Sequence, residues 1–195
     1  MPVVVVESPA KAKTINKYLG RDFTVLASFG HVRDLPPKDG SVRPEEDFAM
    51  DWESEDRGER QVNEIARALR GARRLFLATD PDREGETIGW HLQQALRLKN
   101  PQRIVYSEIT SGAVKAAISR PRSLDRSLIA AGRARDCLDK LVGYKGSKHV
   151  VWQLNIGAKS MGRVQSATLH LLCLREKEIQ SFKPQDYWSV WVEYQ

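Results

Sequence analysis

The chain opens on four successive valines, Val3 to Val6, with no polar alternation. That pattern predicts a strand buried on both faces, as in a parallel sheet. Ser8 and Pro9 then predict a helix start: a side-chain cap followed by a residue whose fixed φ suits the first helical position. Ile15, Tyr18 and Leu19 give that helix an apolar face, and Gly20 is its stop. Phe23 to Phe29 predicts a second strand. Leu35 to Gly58, rich in Pro, Gly, Asp and Glu, reads as loop. The pattern continues with a short helix over Asn63–Leu69, a buried strand over Arg74–Thr79 and a helix over Glu84–Leu98. A strand over Arg103–Glu108 and a helix over Ala113–Ile118 follow. Strands alternating with helices predict an α/β fold, a mostly parallel sheet flanked by helices. Past Pro121 the pattern changes. Arg126–Val142 and Val164–Phe182 have helical periods, and Tyr187–Tyr194 alternates like a strand. The break near residues 119–125 divides the chain into an α/β domain, 1–120, and the incomplete start of a mainly helical domain, 121–195.

Composition narrows the class. A 41% hydrophobic content is enough for a core, and no apolar run near the start is long enough for a membrane span or a signal peptide. The expected location is therefore the cytoplasm. Cys137 and Cys173 form no CxxC pair, so no zinc site is indicated, and both fall on apolar helix faces as expected buried thiols. The net charge of +6 is unevenly spread: Lys115 to Ala167 carries eleven Lys/Arg against three Asp. A basic block beside a slightly acidic one suggests a polyanion-binding portion, with a solvated helical surface as the plain alternative.

The densest chemistry is Thr79-Asp80-Pro81-Asp82-Arg83-Glu84-Gly85-Glu86. Asp80, Asp82 and Glu84 directly follow a buried strand, and in open α/β sheets ligands collect at the carboxyl ends of strands. Clustered carboxylates repel unless a cation joins them. Mg2+ is the natural choice, a hard ion that keeps waters for phosphate contact. Helix-dipole decoration would account for Glu84 and Glu86, but poorly for Asp80. Glu7 ends the first strand and is expected on the same sheet edge, where neighbouring carboxylates raise its pKa and suit it to moving a proton. Lys11 lies in a first helical turn, where a cation is disfavoured unless an anion such as a phosphate is held there. Arg135 sits on the apolar stripe of Leu128, Ala131, Leu138 and Val142, with Asp139 four residues on to orient it. It is either a structural ion-pair partner or a phosphate ligand. Arg163 and Gln165 stand in the first turn of the last helix, after the small residues Ser160 and Gly162, where an anion would meet free N–H groups. His31, after Gly30 at a strand end, reads as structural more readily than functional.

Taken together these segments resemble bacterial type IA DNA topoisomerase I. The resemblance rests on Val6 to Ile15, Gly30-His31-Val32-Arg33-Asp34-Leu35-Pro36, Ala78 to Glu86 and Gly162-Arg163-Val164-Gln165-Ser166, in that order. Ser107 to Thr110, Leu141 to Tyr144 and Pro184 to Trp188 fit as well. It implies a Rossmann-like Toprim fold followed by part of a helical DNA-binding domain. The implied activity is ATP-independent relaxation of negatively supercoiled DNA, through transient cleavage of one strand and a 5′-phosphotyrosine link. By the same resemblance Glu7 serves the DNA 3′-hydroxyl as acid and base, and Lys11 holds the scissile phosphate. Asp80, Asp82 and Glu84, with Glu7, hold Mg2+, and Arg83 supports the phosphate. His31, Arg135, Asp139, Arg163 and Gln165 contact DNA, chiefly single-stranded. None of Tyr18, Tyr106, Tyr144, Tyr187 and Tyr194 matches the family's nucleophile motif. The chain alone is therefore expected not to cleave, to act as a monomer near the nucleoid, and to need the C-terminal topoisomerase domains in cis or trans. Asp136 stands where a second basic residue is usual, and Lys159-Ser160-Met161 replaces the commoner Leu-Ser-Ala. Two rival expectations are a stand-alone module binding single-stranded DNA and Mg2+, and a Toprim nuclease using metal-activated water.

Overall fold

The structure, a computed structural model, describes residues 1–72 and 74–195. It divides into two compact units, Met1–Leu141 and Val142–Gln195. In the first, strand β1 (Val3–Val6) is fully buried. It pairs in parallel with β2 (Thr24–Ala27) on one side and β5 (Leu75–Leu77) on the other. Strand β6 (Gln102–Arg103) extends the sheet, so the order is β2-β1-β5-β6. The valine run splits by parity because successive side chains in a strand point to opposite faces. Val4 and Val6 join Ile15, Phe76, Ile104 and Val114 in one core. Val3 and Val5 join Ile65, Leu77, Ile88 and Leu92 in the other. Each buried valine contributes roughly 1.5–3 kcal/mol, so the run anchors both layers.

Helices α1 (Pro9–Leu19) and α4 (Ser111–Ser119) cover the first face, and α2 (Asp56–Leu69) and α3 (Arg83–Ala95) the second. Ser8 caps α1, accepting from the Lys11 amide, and Gly20 ends it at φ 69°. The chain leaves β1 for β2 on one side and reaches β5 on the other, which makes the carboxyl ends of β1 and β5 a topological switch point, where α/β sheets open a crevice. Helix α5 (Arg126–Leu138) packs on α3. A side chain at Gly132 would collide with the Thr87 hydroxyl, so the glycine sets how closely the two helices meet.

Several local expectations change. The 35–58 segment carries a two-stranded antiparallel ladder, β3 (Val42–Arg43) with β4 (Ala49–Met50). Helix α2 begins at Asp56, seven residues before the apolar pattern suggested, because its first turns are polar and face outward. The strand expected over Arg103–Glu108 is only two residues long, since β5 offers it a short edge. Beyond Leu138 the helix widens to π geometry over Asp139–Tyr144.

The second unit has a π-helical turn, Ser147–Val151, and helix α6 (Arg163–Ser181). The Ser147 hydroxyl accepts from the Met161 amide at 3.0 Å and donates to the Gly143 carbonyl at 2.5 Å. Gly146 leaves room for the Met161 thioether, which a Cβ there would meet. Residues 187–194 form no strand; among the described residues no neighbour supplies the ladder a strand needs. Cys137 is buried as expected, but Cys173 is exposed because α6 buries none of its residues. No helix of the described residues is long and apolar enough to cross a membrane.

Candidate functional site

Glu7 follows β1 and Asp80 follows β5, and the pairing of those strands brings the two residues together at the switch point. One Glu7 oxygen accepts from the Lys11 ammonium at 2.6 Å and from the Asp80 main-chain N–H at 3.1 Å. Lys11 also donates to the Asp80 carboxylate at 2.5 Å. A single cation thus lies between two partly buried carboxylates, and helix α1 presents it there because Lys11 is one turn beyond Glu7.

The two acids are pushed apart. Burial raises the Glu7 carboxyl above its ordinary value; the Lys11 hydrogen bond opposes this and contact with Asp80 adds to it. Burial also acts upward on Asp80, but hydrogen bonds to Lys11 and Glu7 outweigh it and hold that carboxyl below its ordinary value. Burial acts downward on the Lys11 ammonium, yet the two carboxylates hold it above its ordinary value. Glu7 is therefore the member of the pair that keeps a proton more readily, and Asp80 the one that stays ionised.

Asp82 is the N-cap of α3, its carboxylate accepting from the Gly85 amide at 2.8 Å. Gly85 is required here: a Cβ would run into the Asp80 main chain. Arg83 is exposed and makes no ion pair among the described residues. Glu84 pairs with His31 at 3.0 Å and, through its other oxygen, with Arg135. Arg135 lies 3.6 Å from Asp139. Asp136 is half-buried, and burial, with Asp34 and Asp139 nearby, pushes its carboxyl up. Arg163 and Gln165 stand exposed in the first turn of α6, in the second unit.

The expected site residues of the first unit thus form two groups, Glu7–Lys11–Asp80 and His31–Glu84–Arg135–Asp139, with Asp82 capping the helix between them. Their oxygen donors suit a hard divalent cation that takes one or two carboxylates and keeps its waters. Among the described residues, no three His, Cys, Asp or Glu side chains converge on one point. Lys11 and Arg135 bring positive charge to these acids.

Behind the edge lies a network that residue patterns did not single out. Arg103 and Glu86 are fully buried and paired at 2.9 Å. The Arg103 guanidinium also donates to the main-chain oxygens of Leu77 at 3.1 Å, Ile104 at 2.7 Å and Asp80 at 2.7 Å. Glu86 further accepts from Arg122 at 2.8 Å and from the Asp125 amide, the N-cap of α5, at 2.9 Å. The pair fastens the end of β5, where Asp80 sits, to α3, β6 and α5. The available signal was an arginine flanked by a buried-strand pattern, with an acid one turn into α3. A second cluster was also missed. His91 is fully buried, its Nδ1 accepting from Arg33 Nε at 3.2 Å, against Trp52 and Trp90.

Comparison with known proteins gives two family matches. The family model of the Toprim domain matches residues 2–109, and that of the DNA topoisomerase family matches residues 123–195. The chain is 48% identical to DNA topoisomerase 1 of Rickettsia typhi, covering 100% of this chain and 26% of that protein. It is 51% identical to DNA topoisomerase 1 of Xylella fastidiosa, covering 98% of this chain and 24% of the relative. The structure of full-length topoisomerase I from Thermotoga maritima superposes with a TM-score of 0.82 at 42% identity, over 94% of this chain and 31% of the other. The chain spans about a quarter of the length of these curated relatives.

Proposed function

Because the chain belongs to the DNA topoisomerase I family, as its Toprim-bearing N-terminal region, we propose that it forms the metal- and phosphate-handling part of a type IA enzyme. The reaction of the whole enzyme is ATP-independent relaxation of negatively supercoiled DNA through a transient 5′-phosphotyrosine link. The observation that carries this reading is the Glu7–Lys11–Asp80 group, two carboxyls with opposed proton affinities around one ammonium at a strand switch point.

In the cleavage direction the proton held by Glu7 passes to the departing 3′-oxygen of the DNA. In rejoining, Glu7 takes the proton back from the 3′-hydroxyl as that oxygen attacks phosphorus and the tyrosyl oxygen leaves. Lys11, on exchanging a carboxylate for an incoming anion, neutralises the scissile phosphate, and the exposed Arg83 supports it. Asp80, Asp82 and Glu84, with Glu7, are the residues that would hold Mg2+, which supplies charge stabilisation for phosphoryl transfer. His31, Arg135 and Asp139 hold the strand beside them, and Arg163 and Gln165 contact it from the helical domain, chiefly as single-stranded DNA. The nucleophile is none of the five tyrosines. Tyr106, for example, is buried, its hydroxyl donates a hydrogen bond to the Ala78 carbonyl at 2.9 Å, and burial pushes its pKa up to about 12. The chain alone then makes no covalent adduct, works as a monomer in the cytoplasm on nucleoid DNA, and depends on the remaining topoisomerase domains. The two family matches leave residues 110–122 between them, which supports the division into domains 1–120 and 121–195.

The test is a chimera in which this chain replaces the matching region of the Rickettsia typhi enzyme. Plasmid relaxation without ATP is expected, lost by about 10²-fold or more in Lys11→Ala, as for removal of a group that stabilises transition-state charge. An inactive chimera that still folds would contradict the reading. Mg2+-dependent hydrolysis by the chain alone would favour a nuclease.

A further inference from the structure

We propose that the groove between α3 and α5, beside the turn that leads into β6, is a second phosphate-binding site, one that takes the backbone of a nucleic-acid strand. The proposal goes beyond the catalytic edge and uses none of its residues. The groove has a volume of about 740 Å³. Four cations line it, Lys99, Arg122, Arg126 and Arg133, and no lining residue is acidic.

These cations are poorly compensated. Neither Lys99 nor Arg126 has an ion-pair partner among the described residues. Arg122 gives one guanidinium nitrogen to Glu86 at 2.8 Å and is otherwise exposed. Arg133 lies 5.1 Å from the centre of the Trp90 ring, and its Nε is buried with no acceptor. Arg126 holds the first position of α5, where the helix dipole disfavours a cation. The helix N–H groups themselves are taken: the Asp125 carboxylate accepts from Ser127 at 2.9 Å and Leu128 at 3.1 Å. The anion-seeking groups are therefore the side chains, including a buried donor that has nothing to bond. Like charges gathered around one concavity focus a positive potential and raise the local concentration of anions.

The same oxyanion chemistry occurs in a free phosphate and in a nucleic-acid backbone. The spread of the cations favours the backbone. They come from three segments of chain around an open groove, and Arg126 and Arg133 start about 10 Å apart along α5, at 1.5 Å per residue, a span that suits successive phosphates. The site is also separate from the catalytic edge. Lys99 and Gln102 lead into the amino end of β6, whereas Glu7 and Asp80 follow the carboxyl ends of parallel strands. Arg126 and Arg135 are about 14 Å apart along α5, at 1.5 Å per residue.

The test is fluorescence anisotropy of a labelled single-stranded oligonucleotide with the whole chain over a salt series. The proteins are wild type, Lys99→Ala/Arg126→Ala and Lys11→Ala. Both groove positions are exposed, and a thermal melt checks that the variant is folded. The groove predicts that the double variant binds about fivefold or more weakly at low salt, with a salt slope smaller by about 1 to 2 phosphate contacts. Its effect is expected to be independent of Lys11→Ala. Unchanged affinity and slope in the double variant, or no binding by wild type, would overturn the proposal. Loss in the double variant with none in Lys11→Ala would uphold the groove and place the ground-state DNA contact away from Lys11, whose catalytic role the chimera tests separately. Amide shifts at Leu124 to Arg126 on adding inorganic phosphate, without displacement by the oligonucleotide, would overturn the nucleic-acid assignment in favour of a free anion.

Discussion

At the scale of single residues, the position of one ammonium group decides the character of two acids. Lys11 touches both Glu7 and Asp80, and its hydrogen bond is the largest influence holding Asp80 down against burial. Replacing Lys11 with Met leaves two carboxyls in contact without a cation. In Mg2+-free solution the Asp80 midpoint, followed by carboxyl NMR, is expected to rise to or above the ordinary carboxylate value. An unmoved midpoint would show that Lys11 is not what holds it. His91 gives a second residue-scale expectation. Burial, followed by the nearby charges of Arg33, His31 and Arg133, pushes its imidazole down to about 3, from an ordinary 6.5. The unfolded chain therefore binds the proton first. This contribution to stability is complete above pH 6.5 and is lost as pH falls towards 3, at up to about 1.4 kcal/mol per pH unit. Stability measured against urea in wild type is expected to fall more steeply over that window than in His91→Gln. Parallel slopes would remove the account of His91 as a buried neutral base.

At the scale of elements, the Arg103–Glu86 pair is the joint. Arg103→Met leaves Glu86 buried with only Arg122 and one amide against it, and removes the donor to the Asp80 carbonyl. Breaking a buried pair from one side costs about 3–5 kcal/mol, which denaturant unfolding reads directly. A loss under about 1 kcal/mol, within the range of an exposed pair, would mean the network is not closed as described. This joint also marks where sequence reasoning stopped. The Val3–Val6 run, the Ser8 cap and Gly20 announce β1 and α1 through local chemistry and so place Glu7, and the apolar run before Asp80 likewise announces β5. The Arg103–Glu86 contact joins residues 17 apart through the fold, and no local pattern encodes it. The β3–β4 ladder was hidden for the opposite reason: its strands are two residues long, and their turn-rich surroundings read as loop. The start of α2 is polar, so apolar periodicity detects only its second half. At the candidate site the sequence singled out these residues, the Arg135–Asp139 pair and the shared edge of Glu7 and Asp80, but not the partners of Glu84. Glu84 faces Arg135 and His31 rather than the other acids, a pairing that depends on how α5 packs against α3.

At the scale of the whole molecule, the uneven charge follows the two family matches. The acids at the switch point belong to the Toprim-matched region, and eight of the eleven cations between Lys115 and Ala167 belong to the region matched from residue 123 onward. On the proposed function, the switch-point acids bind Mg2+ in company with DNA. Calorimetric titration of Mg2+ into the chain bound to a single-stranded oligonucleotide tests it most directly. A binding isotherm is expected in wild type, weakened at least about tenfold in Asp80→Asn, the loss that 1.4 kcal/mol of lost coordination produces. An isotherm unchanged by Asp80→Asn, or no Mg2+ binding by the folded wild-type complex, would contradict it.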